Sequence, residues 1–371
     1  MTSQARDLES PDNELCDSSG KAATPRRQKR EDDMRAAFFS DRGGFEIREV
    51  PRPVPGPDEI LGEVHGCGIC GGDLHFYSGV SSVPQVCPGH EICGRVAPGS
   101  ITMESGLAVV VEPLRACSVC PQCRSGEPNL CPQLQILGSR MPGGFADAVV
   151  VPVDGIYRLP EGVDLDTAVL TEPLAVATHA VGLAALESGD EVLVLGGGTI
   201  GLLTAFVAAR GGFNVTVSIR HPHQGRAALM LGASRVLGSD RDAIFGAASR
   251  HQPDVVFETV GGRAATLDLA LEVVRPGGSI VTVGLFTRSV TLNPVRFLAK
   301  EVRLVSSMMY SRKGLRPDFV AALEFLRDHR ERLATLITHH VQLGEIDRGF
   351  CIAADKRSGA IKVCVDVAQK L

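Results

Sequence analysis

Residues 192–201 read Val192-Leu193-Val194-Leu195-Gly196-Gly197-Gly198-Thr199-Ile200-Gly201. The apolar run is typical of a buried strand, and a G-x-G-x-x-G pattern follows it directly. Gly196 is expected to make a tight turn, Gly198 to let a pyrophosphate approach the backbone, and Gly201 to let a helix pack closely on the strand. A helix predicted from Ile200 would point its N-terminus at the phosphates. The segment therefore predicts a dinucleotide site containing Gly196, Gly198, Ile200 and Gly201.

The motif is informative because strand and helix patterns alternate around it. Strands are predicted at 191–195, 215–219, 254–257 and 279–284, and helices at 166–186, 200–210, 226–231 and 264–274. Such a series forms a parallel, doubly wound sheet. We assign this α/β domain to residues 161–295.

The end of the second strand bears on the choice of cofactor. An acidic residue about twenty positions after the glycine motif would grip the adenosine ribose, but this chain has Ile219 there, followed by Arg220. Arg220 could pair with a 2′-phosphate and Ser218 could donate a hydrogen bond to it. The pattern favours NADP over NAD. The alternative is that Arg220 is only a surface charge and that both cofactors bind.

A second strong pattern is a set of four cysteines, Cys117, Cys120, Cys123 and Cys131. This spacing lets a loop close around one tetrahedral ion, and four thiolates make a complete zinc shell. A pair of disulfides is the less favoured alternative. A closed shell has no position for substrate, so this zinc would be structural.

An open metal site is predicted upstream. Cys70 and His90, with one carboxylate, would make three protein ligands and leave a fourth position for water or substrate. Two carboxylates compete for that place, Glu91 beside His90 and Glu172 at a predicted helix start. Either could instead be a helix-terminal charge or a hydrogen-bond partner of a ligand. Taken singly, Cys70 and His90 would be ordinary packing and polar residues.

Composition limits the class of protein. The chain has 371 residues, 44% of them apolar and 22% charged, which is enough for two globular domains. A net charge of −5 and the lack of Trp give no reason to expect a nucleic-acid or membrane partner. Because no apolar run suggests a secretory signal or a membrane span, the eleven cysteines indicate a reducing compartment, and we expect the cytoplasm.

The N-terminal region differs from the rest. Residues 1–33 are polar and charged, and we expect them to be disordered. Their basic segment 25–30 is interpreted as a solvated tail, or as sequence upstream of a start at Met34, rather than as a targeting patch. From residue 34 to about 160, short β-type runs alternate with Gly and Pro, which indicates a mostly-β domain.

From about Met34 to its end, the chain resembles the zinc-dependent medium-chain dehydrogenases. The segments that carry the resemblance occur in the family's order: GICGGD at 68–73, GHE at 89–91, the four cysteines, EPL at 172–174 and GGGTIG at 196–201. The segments EPLAV at 172–176, VFETVGG at 256–262 and LVSSMMY at 304–310 resemble the polyol (sorbitol-type), butanediol and threonine dehydrogenase branch. The classical alcohol dehydrogenases of the family have Cys in place of Glu172.

The resemblance implies a GroES-like catalytic domain from residues 34–160 and 296–371, a Rossmann domain from 161–295, and an active site between them. It implies NADP or NAD and two zinc ions per chain. One zinc would be held by Cys70, His90 and Glu91 or Glu172, with Asp73 supporting the ligands, and the other by the four cysteines. A homodimer or homotetramer is also implied.

One position departs from the family. Relatives usually have Ser or Thr two residues after the zinc cysteine, as the first hydroxyl of a proton relay, but this chain has Gly72. His75 lies where many relatives have a relay histidine, so the proton could pass through water or the cofactor ribose to His75. The alternative is that Gly72 marks a reduced or altered activity.

The expected reaction is hydride transfer between a secondary alcohol and NAD(P), giving a ketone. A zinc site with Glu favours a polyol, cyclitol, amino sugar or diol, and a bulky cyclic secondary alcohol is the alternative. A non-catalytic zinc or redox sensor, based on Cys67, Cys70 and Cys93, is less favoured because a sensor would not need paired nucleotide and open metal sites. The remaining thiols are interpreted as packing or exposed residues, namely Cys16, Cys87, Cys351 and Cys364.

Overall fold

A computed structural model describes residues 33–368. The predicted disordered extension lies outside the described residues, except for Asp33, which begins the first strand. The strands are β1 (Asp33–Phe39), β2 (Phe45–Pro51), β3 (Glu59–Gly68), β4 (Glu91–Val96), β5 (Ala108–Val111), β6 (Leu114–Arg115), β7 (Gln135–Ile136), β8 (Ala148–Pro152), β9 (Ile156–Arg158), β10 (Glu191–Leu195), β11 (Asn214–Ile219), β12 (Arg235–Gly238), β13 (Val255–Glu258), β14 (Ser279–Thr282), β15 (Arg303–Ser306), β16 (Ile337–Gln342) and β17 (Lys362–Asp366). The helices are α1 (Gly71–Tyr77), α2 (Pro121–Arg124), α3 (Leu165–Ala168), α4 (Thr171–Leu183), α5 (Thr199–Arg210), α6 (Pro222–Met230), α7 (Arg241–Ala248), α8 (Thr266–Val273), α9 (Pro294–Lys300), α10 (Asp318–Ala334) and α11 (Ile346–Ala354).

Six strands form the predicted parallel sheet, in the order β12-β11-β10-β13-β14-β15. Alternate residues of β10 enter different cores: Val192 and Val194 pack with α4, α5 and α10, whereas Leu193 and Leu195 pack with α7 and α8. Helices therefore cover both faces, which makes the sheet doubly wound and confirms the α/β class. The sheet extends through β15, beyond the boundary predicted at residue 295, because β15 hydrogen-bonds to β14.

The other large sheet is mixed and contains the order β16-β17-β3-β4-β5-β9, with β8 paired to β3. Its last strand, β17, runs antiparallel to β3 and returns the C-terminal part of the chain to the N-terminal domain. A separate apolar core lies under this sheet, around Phe145 and Phe350. The mostly-β domain predicted from residue 34 onward therefore also includes strands from the C-terminal part of the chain.

Two helical predictions need correction in their bounds. The pattern at 166–186 forms two helices, α3 and α4, because Pro173 has no N–H to bond to the carbonyl of Val169 and fits only in a first turn. The helix predicted at 226–231 begins four residues earlier, at Pro222, and ends at Met230. Within residues 33–368, no helix combines the length and apolar character needed to cross a membrane.

Candidate active site and zinc sites

The glycine turn between β10 and α5 has the geometry that a dinucleotide needs. Gly196 has a φ of 116°, a left-handed conformation that favours glycine. A Cβ on Gly201 would lie 2.0 Å from the carbonyl oxygen of Gly196, so only glycine lets the helix pack here. A Cβ on Gly198 would meet no atom within 4 Å, which leaves open space beside the N-terminus of α5. These residues fit a bound pyrophosphate.

Past the end of β11, the rim of this site is cationic. Ser218 is buried and Arg220 is exposed, and within residues 33–368 no carboxylate forms an ion pair with the Arg220 guanidinium. The Oε1 atom of Gln224 accepts hydrogen bonds from the backbone N–H groups of Arg220 and His221, at 3.0 and 3.1 Å. The rings of His221 and His223 stack with centroids 5.6 Å apart. Sequence analysis placed Ser218 and Arg220 here but did not identify Gln224, which fixes the turn.

The four cysteines come together as one metal shell. Their sulfur atoms all lie within 4.8 Å of one another. The Sγ–Sγ distance is 3.4 Å between Cys120 and Cys123 and 3.9 Å between Cys117 and Cys123. All four are free thiols, so the disulfide alternative has no support in the structure.

Backbone N–H groups prepare this loop for thiolates. The N–H of Cys120 donates to the sulfur of Cys117, and the N–H of Cys123 donates to the sulfur of Cys120, each at 3.4 Å. Hydrogen bonds from the N–H groups of Val119 and Cys120 lower the pKa of Cys117 to about 6. Since zinc binds the thiolate form, the residues present fit a structural zinc ion.

A second group of ligand atoms is formed by Cys70, His90 and Glu91, which also lie within 4.8 Å of one another. Cys70 is the residue that precedes helix α1, and Glu91 begins strand β4. A Cβ on Gly68 of the neighbouring strand would lie 1.9 Å from Oε2 of Glu91, so glycine makes room for this carboxylate. The thiol, imidazole and carboxylate are a donor set that fits zinc with an open position.

Asp73 supports this group from within α1. Its side chain is buried, and its Oδ2 accepts a hydrogen bond of 3.2 Å from the backbone N–H of Cys70. Its Oδ1 lies 3.8 Å from Nδ1 of His90. A carboxylate in this place can orient the imidazole and fix its tautomer. Asp73 therefore contacts the backbone of Cys70 and lies near the ring of His90.

Lys362 is a further residue of this site, and the sequence patterns did not predict it. This lysine is buried in β17, and its Nζ lies 2.6 Å from both carboxylate oxygens of Glu91 and 2.9 Å from the carbonyl oxygen of Ile69. Burial would lower the pKa of Lys362, but the nearby Glu91 and Cys70 outweigh it and raise that pKa. The signal that could have found it is a lysine directly before the apolar run Val363-Cys364-Val365.

Glu172 and His75 are not members of this ligand group. Glu172 is buried at the start of α4, and its carboxylate is not in the set of ligand atoms within 4.8 Å. Burial raises the pKa of Glu172 to about 7, against the opposing effect of His90. His75 is in the last turn of α1, where burial lowers the pKa of its imidazole.

Comparison with known proteins agrees with this geometry. Residues 56–161 match the model of the alcohol dehydrogenase GroES-like domain, and residues 199–328 match that of the zinc-binding dehydrogenase domain. The chain is 34% identical to L-galactonate-5-dehydrogenase of Escherichia coli K12, over 79% of this chain and 86% of that protein. It is 32% identical to a sorbitol dehydrogenase of Halalkalibacterium halodurans, over 86% of this chain and 95% of that protein.

A solved structure from Sinorhizobium meliloti 1021, described as a zinc-binding dehydrogenase bound to NADP, is similar in fold. It is 30% identical, with a TM-score of 0.80, and the match covers 90% of this chain and 99% of that one. The two domain types, the zinc-ligand groups and the glycine turn therefore have one explanation. The chain belongs to the zinc-dependent, NAD(P)-dependent medium-chain alcohol dehydrogenases, in the polyol and threonine dehydrogenase branch.

Proposed function

We propose that this protein oxidises a secondary hydroxyl of a polyol or sugar acid to a ketone, with hydride transfer to NADP or NAD, or runs the reverse reduction. The observation that carries the proposal is the convergence of Cys70, His90 and Glu91 within 4.8 Å in a chain of this family. When bound, zinc supplies Lewis-acid polarisation of the hydroxyl, and the nicotinamide supplies the hydride acceptor.

The residues around the zinc-ligand group have separate proposed roles. Cys70 and His90 would hold the zinc, and Asp73 would orient both through its contacts with the Cys70 backbone and the His90 ring. Glu91 and Glu172 compete for the third place. Glu91 lies within the ligand group but is held by Lys362, whereas the raised pKa of Glu172 means that its carboxyl is readily protonated near neutral pH.

The placement of these two carboxyls suggests how the site accommodates water and extra hydroxyls. A ligand that exchanges between Glu91 and Glu172 leaves room for a vicinal diol at the metal. This supports a substrate with several hydroxyl groups, and the two named relatives act on an aldonate and a polyol. We therefore place sugar acids beside polyols, cyclitols, amino sugars and diols as the substrate class.

We propose NADP as the preferred cofactor. The support is the absence of an acid after β11, the exposed Arg220 and the adjacent imidazoles of His221 and His223. A 2′-phosphate at this rim could pair with the guanidinium of Arg220. The similar structure from Sinorhizobium meliloti binds NADP.

We further propose a homodimer in the cytoplasm. Strand β15 is at the edge of the parallel sheet, and apolar side chains near it are exposed: Val295 by 67%, Leu298 by 81% and Leu304 by 41%. A second copy that pairs along this edge would cover them. Thiolate zinc sites are compatible with a reducing compartment.

The testing experiment is a panel of sugar acids, polyols, cyclitols, diols and bulky cyclic secondary alcohols, each assayed with NADP and NAD on zinc-loaded protein. Turnover confined to substrates with several hydroxyls would support the proposal. Turnover of bulky cyclic alcohols alone would contradict the proposed substrate class. Absence of turnover with zinc and cofactor bound would contradict the proposal that the protein catalyses this reaction. Matched variants E91Q and E172Q, compared by zinc content and turnover, would show which carboxylate is the ligand.

A further inference from the structure

A third cluster of metal-ligating side chains lies at the edge of the mixed sheet and shares no residue with the two zinc-ligand groups. His340 of β16 and Cys364 and Asp366 of β17 bring their ligand atoms within 4.8 Å of one another. Nδ1 of His340 lies 2.8 Å from Oδ1 of Asp366. Sequence analysis interpreted Cys364 as a packing residue, because its partners are brought together only by strand pairing.

The strand register creates this cluster. His340 is directly opposite Cys364 in the parallel pair, so their side chains are on one face of the sheet. Asp366 is two residues further along β17 and is on the same face. In the next strand, Gly66 opposes Asp366, and a Cβ on Gly66 would lie 3.2 Å from the sulfur of Cys364. Glycine therefore leaves space beside the thiol.

The surroundings favour a cation. Cys364 is buried, and burial together with the nearby Cys93, Asp366 and Asp166 raises the pKa of its thiol. The accumulation of carboxylates around one thiol disfavours further negative charge and would be relieved by a metal ion. The side chain of His340 is 35% exposed, which provides an approach from solvent.

We propose that His340, Cys364 and Asp366 form a third metal site, for a zinc-type divalent transition ion such as Zn²⁺ or Co²⁺. A thiolate with an imidazole and a carboxylate suits such ions, whereas Mg²⁺ and Ca²⁺ prefer oxygen ligands. Bond lengths of about 2.0–2.3 Å place tetrahedral ligand atoms roughly 3.3–3.8 Å apart. The His340–Asp366 pair opens slightly on binding, Cys364 releases its thiol proton to solvent, and water takes the fourth position.

The site would join the edge strand β16 to β17, and so it would stabilise the C-terminal part of the mixed sheet. It does not depend on the proposed substrate or cofactor. Because ligand binding to the folded state adds to stability, saturation with the ion should raise the melting temperature.

The experiment is a Co²⁺ titration of the full-length protein with both zinc sites already filled. We expect one Co²⁺ per chain to bind beyond the two zinc ions, with a thiolate-to-Co²⁺ charge-transfer band and no release of zinc. C364S should lose the band, and H340Q should weaken binding at least tenfold. The matched control H339Q changes the neighbouring histidine, whose side chain is on the other face of β16, and should bind Co²⁺ as the unaltered protein does.

Absence of a third equivalent would overturn the proposal. So would Co²⁺ uptake matched by zinc release, or uptake that persists in H340Q. His340 is partly exposed at a sheet edge, so H340Q should fold even if C364S does not. The Co²⁺ binding of H340Q is then sufficient to test the proposed third site.

Discussion

At Gly72, the chain lacks the hydroxyl that the family resemblance implies two residues after Cys70. A Cβ added at Gly72 would meet only the sulfur of Cys70, at 3.7 Å, which is an ordinary contact. The local structure therefore accepts a side chain without strain. The packing around Gly72 therefore does not require glycine at this position.

We expect G72S to raise kcat by about tenfold, because a relay group contributes roughly 10²–10⁴ and water replaces part of that. The measurement is kcat against pH with the best substrate of the panel. G71S is the control, since a Cβ on Gly71 meets no atom within 4 Å and the residue is exposed. An unchanged kcat in G72S would mean that the proton leaves by a route that does not need this hydroxyl.

Arg220 is a second position at which one side chain is expected to set a property of the protein, here its preference for NADP. We expect R220A to lower kcat/KM for NADP by about 10–100-fold, because a hydrogen bond to a charged group contributes roughly 1.5–3 kcal/mol. The value for NAD should stay within about twofold, since NAD has no 2′-phosphate. The control is R226A, another exposed cation, on the following helix α6. Equal losses with both cofactors would contradict the assigned role of Arg220.

At the scale of secondary-structure elements, an ion pair joins Glu112, just before the four-cysteine loop, to Arg312, in the segment after β15. Glu112 is fully buried and accepts hydrogen bonds from the Arg312 guanidinium at 2.8–3.1 Å and from the Tyr157 hydroxyl at 2.9 Å. The backbone N–H of Arg312 donates to the carbonyl of Gly126 in the four-cysteine loop, at 2.8 Å. Arg312 thus holds this loop to the rest of the molecule.

We expect R312A to lower the free energy of unfolding by about 3 kcal/mol, because it leaves a carboxylate buried without its partner. Thermal and denaturant unfolding of the zinc-loaded protein would measure this. The control K313A breaks an exposed pair with Glu127, whose atoms lie 3.5 Å apart, and should cost less than about 1 kcal/mol. Similar losses in the two variants would show that burial of Glu112 is not the cause.

For the whole molecule, the exposed edge of the parallel sheet predicts self-association. We expect the unaltered protein to have the mass of a dimer by light scattering and L298E to shift it toward the monomer, because a charge cannot be buried unpaired in the interface. The control L315E changes an apolar residue that is fully exposed elsewhere, at 107%. Monomeric unaltered protein, or dimerisation that L298E leaves intact, would contradict the proposed surface.

The sequence by itself determined much of the local structure of this protein. The strand at 191–195, the glycine turn and the four-cysteine loop depend on neighbouring residues, and β10, α5 and the sulfur cluster lie where the patterns predicted. The pairing of Cys70 with His90 and Glu91 was reached through motifs in the family's order, and the structure brings these residues together.

Only the tertiary structure decided which distant groups meet. Lys362 reaches Glu91, Arg312 reaches Glu112, and His340 lies opposite Cys364 because strands and loops far apart in the chain pair in one register. A sequence pattern records periodicity and local spacing, but it does not record sheet order or register. For that reason the local sites could be predicted from the sequence, whereas the buried charge partners and the third ligand cluster could not.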